Sequence, residues 1–582
     1  MMKRVKKNKT LNNIRRVIAD LPPYMYVVII AALLILVIGM CIAIARNTPT
    51  KETLSLEDYY NVTADNEMVV ICNGSFKEKD ENADYVDGLF LDGKAYISIS
   101  YLKKYIDNGY VYDKTEGVLR YTTDSQIISA SIDSNTYTVD KEQVTLDAPV
   151  ITRDSGEYYI NLEFVSKITD MTYEIYDTPA RVVIETAGLE KNVSVVKRNT
   201  QVRKNGGVKS KVLAQVSKKD QVSVIQNYGK WSQVVTKDGV VGYIKNSKLK
   251  KAEAQVVANN LPERKYNHIT VNDNIVMAWH QVTNKSANAN VSEVLANTSV
   301  NVVSPTWFYM DDNQGGIANL ASSSYVDYCH GNNIKVWALF SNLENKNVDT
   351  ATVLNITSSR DALINNLVAA AITYNLDGIN VDIEALPEGA ADGYMEFIKE
   401  LSVKCENNNI VLSVDLATMG QSYGNYNPEV LPDYVDYGII MAYDEHTIGD
   451  EPGSVSSITF VRDCVQSCLK TFDKSQVVLG LPFYTRVWTI TGNDVTAKAY
   501  SMKNIGDFIS THNGNPVWNE STAQNYAEMT EGDTTYKVWL EDANSMSQKL
   551  QVAVDNELAG VSFWKLTQEV PEIWQTIATY SK

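Results

Sequence analysis

The sequence predicts a multidomain protein: one N-terminal transmembrane helix, an α+β segment with an internal repeat, a small all-β module, and a C-terminal (β/α)8 barrel. Three observations lead there. Tyr24 to Ala45 is an unbroken apolar run; the region after it contains two stretches with the same order of tyrosine-rich strands and short helices; and from about Asn267 eight apolar runs of strand length alternate with helical patterns. A chain of 582 residues exceeds a single hydrophobic core. Its 44% hydrophobic and 21% charged content is that of ordinary globular material. A formal net charge of −17 argues against nucleic acid as the main partner.

Residues 1–23 form a basic tail, in which Lys3, Arg4, Lys6, Lys7, Lys9, Arg15 and Arg16 are opposed only by Asp20. The apolar run 24–45 is long enough to cross a bilayer as a helix. The flanking charge predicts a cytoplasmic N-terminus and an extracellular remainder, that is, a single-pass protein of the cell membrane. Ala43-Ile44-Ala45 offers a signal-peptidase site, but the run is longer than a typical signal peptide core, which favours an uncleaved anchor. Residues 46–60 are polar and read as a tether.

Residues 61–188 carry the repeat. Ala95 to Ile106, Tyr110-Val-Tyr-Asp113 and Val118-Leu-Arg-Tyr121 form one copy; Tyr158 to Ile168, Tyr173-Glu-Ile-Tyr-Asp177 and Arg181-Val-Val-Ile184 form the other. Each reads as strand, short helix and hairpin. The segment resembles the copper-amine-oxidase N-terminal-like stalk domain of Gram-positive surface proteins. No His or Cys cluster accompanies it, so no metal is expected there, and the resemblance implies a spacer or wall contact.

Residues 189–252 alternate short β-rich pieces with turn signals such as Asn205-Gly-Gly207 and Lys237-Asp-Gly239. Trp231-x-x-Val234 followed by Asp238-Gly239-x-x-Gly242-Tyr243-Ile244 resembles bacterial SH3-like wall modules. Within residues 191–250 about fifteen Lys and Arg are set against Asp220 and Asp238. That local reversal of charge suits either a solvated surface or attraction to an anionic wall polymer or lipid headgroups. Residues 253–266 read as a linker.

Residues 267–582 hold the alternating runs: 275–279, 300–303, 334–339, 378–382, 410–414, 437–442, 477–481 and 560–564. Eight strands alternating with helices imply a TIM barrel, whose chemistry sits at the C-terminal ends of the strands. Polar residues collect at those ends: Glu384 after the fourth, Tyr443 and Asp444 after the sixth, Tyr484 and Arg486 after the seventh, Trp564 at the eighth. The fourth strand is the most informative. Ile379, Val381 and Ile383 alternate with Gly378, Asn380, Asp382 and Glu384, so an amide and two carboxylates share one face. Burying such a face is costly unless its groups are bonded and useful. Carboxylates two residues apart on a strand lie roughly 6–7 Å from each other, close enough to couple their titrations.

Asp377-Gly-Ile-Asn-Val-Asp-Ile-Glu384 resembles the Asp-Gly-x-Asp-x-Asp-x-Glu signature of glycoside hydrolase family 18. Met441-Ala-Tyr-Asp444, Gly480-Leu-Pro-Phe-Tyr-Thr-Arg486 and Phe563-Trp564 match its later strands. Tyr443-Asp-Glu-His446 and Val538-Trp-Leu-Glu-Asp542 are similar to the branch of spore-cortex-lytic N-acetylglucosaminidases. Asn380 departs from the pattern, standing where most of the family has its first Asp. The resemblance implies that Glu384 is the general acid and that the substrate's own 2-acetamido carbonyl attacks C1, without a separate nucleophile. It implies that Asp382 accepts the acetamido N–H and that Tyr443 donates to the acetamido oxygen. Asn380, Asp444, Met441, Trp564, Tyr484 and Arg486 are then expected around the substrate, with Trp564 flooring the sugar, while Asp377 and Gly378 are structural. No cofactor or metal is called for; His280 and His446 are expected to be polar residues of the rim, and Trp279, Trp307, Trp337 and Trp488 remain ambiguous.

The expected partner is peptidoglycan or another N-acetylglucosamine polymer. A chitinase and a non-catalytic glycan-binding wall protein are the alternatives. The six cysteines are too scattered for a disulfide framework, and Cys464 and Cys468, at helical spacing without a nearby His, read as packing thiols.

Overall fold

Alternation of apolar and polar residues at the strand period dominates the architecture. The computed structural model describes residues 22–77, 85–417, 426 and 428–580. Most of the basic tail, residues 1–21, lies outside them. Pro23–Asn47 is a 25-residue helix of mean hydropathy 3.4 over its most apolar window, with no buried residue, long and apolar enough to cross a membrane. The rest divides into two compact units, 1–108 with 152–262 and 109–151 with 263–582. Residues 109–151, the central part of the segment 61–188, cluster with the barrel in this division.

In the first unit both repeat copies begin as expected: strand Lys94–Ser98 runs into helix Ile99–Tyr105, and strand Glu157–Asn161 into helix Leu162–Val165. The two strands pair antiparallel. Ser98 and Asn161 cap their helices through side-chain oxygens, which is why strand passes to helix at those residues. Residues 189–256 form a seven-stranded antiparallel sheet. A cavity of about 1000 Å³, lined wholly by this unit, contains no buried unpartnered polar atom among the described residues.

In the second unit, strands β1 (Ile275–His280), β2 (Val302–Met310), β3 (Lys335–Ser341), β4 (Gly378–Asp382), β5 (Val411–Leu416), β6 (Tyr437–Met441), β7 (Val477–Pro482) and β8 (Gly560–Trp564) pair in parallel, each with the next. β1 also pairs with β8, closing the barrel. Ile379 and Val381 face the outer layer with Leu363, Leu367 and Phe397 of the surrounding helices, whereas Trp279, Trp337 and Tyr437 fill the interior. Gly378 is required there: a Cβ would lie 2.6 Å from the Trp337 ring and 2.9 Å from the Val411 carbonyl. Between β7 and β8 an antiparallel five-stranded sheet spans 484–540.

The first hairpin of the repeat, Val111–Asp113 and Val118–Thr122, continues into a five-stranded meander ending at Thr145. It packs on the outside of the barrel through polar groups. The Thr122 hydroxyl donates to Glu396 at 2.6 Å, and Asp113 accepts from the Thr357 amide at 2.8 Å. Arg120 pairs with Asp361 and lies 3.8 Å from Glu400. Arg360, fully buried, donates to both oxygens of Glu400, at 2.9 and 3.3 Å, and to the Leu354 carbonyl at 2.7 Å. All six cysteines are free, and burial pushes Cys464 and Cys468 up to about 12.

Candidate active site

β4 carries the polar face of its sequence into the barrel, and the other strands close around it. Asn380 is fully buried. Its Oδ1 accepts from Trp279 Nε1 at 2.9 Å and Ser304 Oγ at 3.1 Å. Its Nδ2 donates to Asp415 Oδ1 at 2.8 Å and Ser413 Oγ at 3.2 Å. Both ends of the amide are thus occupied by protein, so Asn380 stands behind the pocket and is not the substrate contact expected of it. Its carboxylate partner is Asp415, on β5, and not Asp382.

Asp382 is 9% exposed, and its Oδ1 is buried with no hydrogen-bond partner among the described residues. Burial, then the charges of Asp415, Glu384 and Glu344, hold its carboxyl well above the usual range. Glu384 follows β4 and opens to solvent. Its backbone is clamped by Asn342, which accepts from the Glu384 N–H at 2.9 Å and donates to its carbonyl at 3.0 Å. Partial desolvation, with Asp444 and Glu344 close by, raises its pKa. A surface carboxyl that keeps its proton beyond the ordinary range has the property needed of a general acid.

Tyr443 is buried, with its ring 6.3 Å from that of Tyr484. Burial, followed by Asp415, Tyr484, Asp382 and Glu384, raises its phenol, which therefore stays a donor. Asp444, at φ +59°, accepts from the Tyr484 hydroxyl and from Arg486 Nη2, both at 2.6 Å. These three residues, expected as separate substrate contacts, form one bonded group at the rim. Met441 packs beside the interior cluster. Trp564 is half-buried at the end of β8, 5.7 Å from Trp279 at 62°, with Lys565 over its ring and bonded to Gln281. Asp377 bonds to His330 Nε2 and accepts from the Val336 amide, both at 2.8 Å.

His280 differs from expectation. It is buried against the Tyr325 hydroxyl at 3.0 Å, and burial with the nearby Lys565 charge lowers it to about 4, so it is a neutral core residue and not part of the rim. His446 is half-buried against Gly453. Sequence reasoning missed Asp415, Glu344, Asn342 and the role of Trp279. Asp415 carried a readable signal, since Ser413 and Asp415 alternate with Leu412 and Val414 as in β4. Glu344, bonded to Ser341 Oγ at 2.6 Å, lies in a loop where no periodicity marks it.

The family description "Glycosyl hydrolases family 18" matches residues 239–569, and "Copper amine oxidase N-terminal domain" matches 77–184. Among the described residues there is no cluster of metal-ligating side chains that fits copper. The chain is 25% identical over 298 residues to the uncharacterized glycosylase YvbX of Bacillus subtilis, covering 49% of this chain and 86% of that protein. It is 25% identical over 254 residues to the cortical fragment-lytic enzyme of the same organism, covering 42% of this chain but only 59% of the relative. The crystal structure of the spore cortex-lytic enzyme SleL of Bacillus megaterium aligns at a TM-score of 0.46 and 20% identity, over 57% of this chain and 78% of that one.

Proposed function

This chain belongs to the glycosyl hydrolases of family 18, and on that premise we propose that it is a membrane-anchored, outward-facing enzyme that cuts peptidoglycan beside N-acetylglucosamine by substrate-assisted, retaining catalysis. The observation that carries the reading is the placement of an exposed Glu384 two residues after Asp382, whose buried Oδ1 lacks a partner among the described residues. Glu384 gives its proton to the glycosidic oxygen as the bond to C1 breaks. The acetamido oxygen of the same sugar closes on C1, its N–H bonded to Asp382 Oδ1 and its oxygen to the Tyr443 hydroxyl. Glu384, now a carboxylate, takes a proton from the water that attacks C1 and reopens the ring. Two inversions at C1 give net retention. Trp564 offers a face for the pyranose ring.

The choice of peptidoglycan rests on context: the apolar N-terminal helix, the basic SH3-like segment 189–252 as a contact for wall polymer, the stalk-like segment, and the cortex-lytic name of a relative. Detergent-solubilised full chain is to be incubated with peptidoglycan sacculi and with chitin oligomers, and new reducing ends counted. Release from peptidoglycan is expected. Release from chitin alone would make the protein a chitinase, and release from neither would leave a glycan-binding protein.

A further inference from the structure

The signature strand lacks one carboxylate, at Asn380, and the barrel carries an extra one on the neighbouring strand. β4 and β5 are registered Gly378 with Val411 through Val381 with Val414. One residue further along each strand come Asp382 and Asp415, which by strand alternation share the face of Asn380 and Ser413, and the charge of Asp415 acts on Asp382. Asp415 is 5% exposed. The Asn380 amide is fixed by Trp279 and Ser304 so that its Nδ2 must point at Asp415. No Lys or Arg is bonded to either aspartate among the described residues, and Arg486 is engaged by Asp444.

Two adjacent buried carboxyls without a cation do not both ionise; they hold one proton between them. We infer that Asp415 is the proton partner of Asp382, a positioning residue that supplies from β5 the carboxyl which Asn380 does not. This rests on the glycosidase reading of the site. In the free enzyme the Asn380 donor favours charge on Asp415, so the proton sits on Asp382. When the acetamido N–H docks, that proton passes to Asp415, which then donates back to the Asp382 carboxylate. Asp382 becomes the anion that faces the cationic ring intermediate, and no proton enters or leaves the site. Among the described residues, the other ionisable groups that act on the pair are Glu384 and Glu344, Tyr443 just after β6, Tyr426, and Tyr394 from the helix Ala391–Asn407.

Asp415→Asn keeps the acceptor for Asn380 and removes the proton site. A pair titrates in two steps and a lone Asp382 in one, lying between them. The full-length variant is therefore expected to fold, to lose at least about tenfold in kcat, as a displacement of one pK unit would give, and to show its acid limb at higher pH than the unsubstituted enzyme. Asn380→Asp combined with Asp415→Asn returns a carboxyl to the same face and is expected to recover most of the rate and the original limb. An unmoved acid limb, or a double variant no better than the single one, overturns the inference. Should the unsubstituted enzyme cleave neither peptidoglycan nor chito-oligosaccharide, the proposed function fails. The pair is then read by infrared titration of protonated carboxyls in the free protein, where the band must disappear at lower pH in Asp415→Asn; an unchanged midpoint overturns it.

Discussion

Two sets of buried carboxylates in the same unit have opposite fates. On the outer wall Glu400 is 1% exposed, yet Arg360 grips both its oxygens and Arg120 lies beside it. At the barrel mouth Asp382 and Asp415 are almost as deeply buried; Asp415 has the Asn380 amide in place of a guanidinium, and Asp382 Oδ1 has no partner among the described residues. A paired carboxylate is a fixed charge that joins elements. An unpaired one in a dry site is driven towards its protonated form and so can exchange protons. The chemical use of an acidic residue is thus set by whether a cation is built next to it, and burial alone does not distinguish the two.

Substitutions should separate the two regions by what they disturb. The largest effect is expected for Glu384→Gln, which removes a proton donor without changing shape: kcat should fall by about 10²–10⁴-fold with sugar binding and melting intact. Steady-state kinetics with parallel calorimetric binding check this, and a near-normal rate would assign the acid elsewhere. On the wall, Arg360→Met should lower unfolding stability by about 3–5 kcal/mol in denaturant titration, because Glu400 is left without its main partner. Replacing both Arg360 and Glu400 by Met should cost less than Arg360→Met alone. The pH–rate profile should be the same in both, and a shifted profile would mean that the wall pair also acts on the barrel mouth.

The pH dependence itself is the next test. Because the pKa of Glu384 is raised, the active, protonated acid persists above the ordinary Glu value of about 4.3, and activity is lost as pH rises through the higher folded value. An alkaline limb at the ordinary value would contradict the role. The smallest effect concerns stability. A carboxyl raised in the folded state contributes stability that is fully present below its unfolded pKa and disappears as pH rises through its folded one. Asp382→Asn should therefore melt above the unsubstituted protein at pH 7 and level with it below about pH 4, where the unfolded carboxyl is also protonated. Equal melting at both pH values would mean that Asp382 is not held protonated.

Much of this architecture was legible in the chain. The eight barrel strands appear where apolar runs of the right length stand, and the alternation in and after β4 is what singled out Asn380, Asp382 and Glu384 as candidates. The repeat was legible in its order of strands and helices but not in its assembly. The meander 111–145 joins the barrel unit through Asp113, Arg120 and Thr122, ordinary polar residues whose burial depends on partners about 240–280 positions away. Asp415 was readable by the same alternation that exposed β4. The bonded group Tyr484–Asp444–Arg486 was not, because it joins strand ends that only the closed barrel brings together.

The central claim is that the sugar's own acetamido group closes on C1 while Glu384 protonates the leaving oxygen. It is tested most directly by measuring reducing ends released from one peptidoglycan preparation before chemical de-N-acetylation, after it, and after re-acetylation. Cleavage should stop when the acetamido groups are removed and return when they are restored. Undiminished cleavage of the de-N-acetylated polymer would contradict substrate assistance and the roles given to Asp382 and Tyr443.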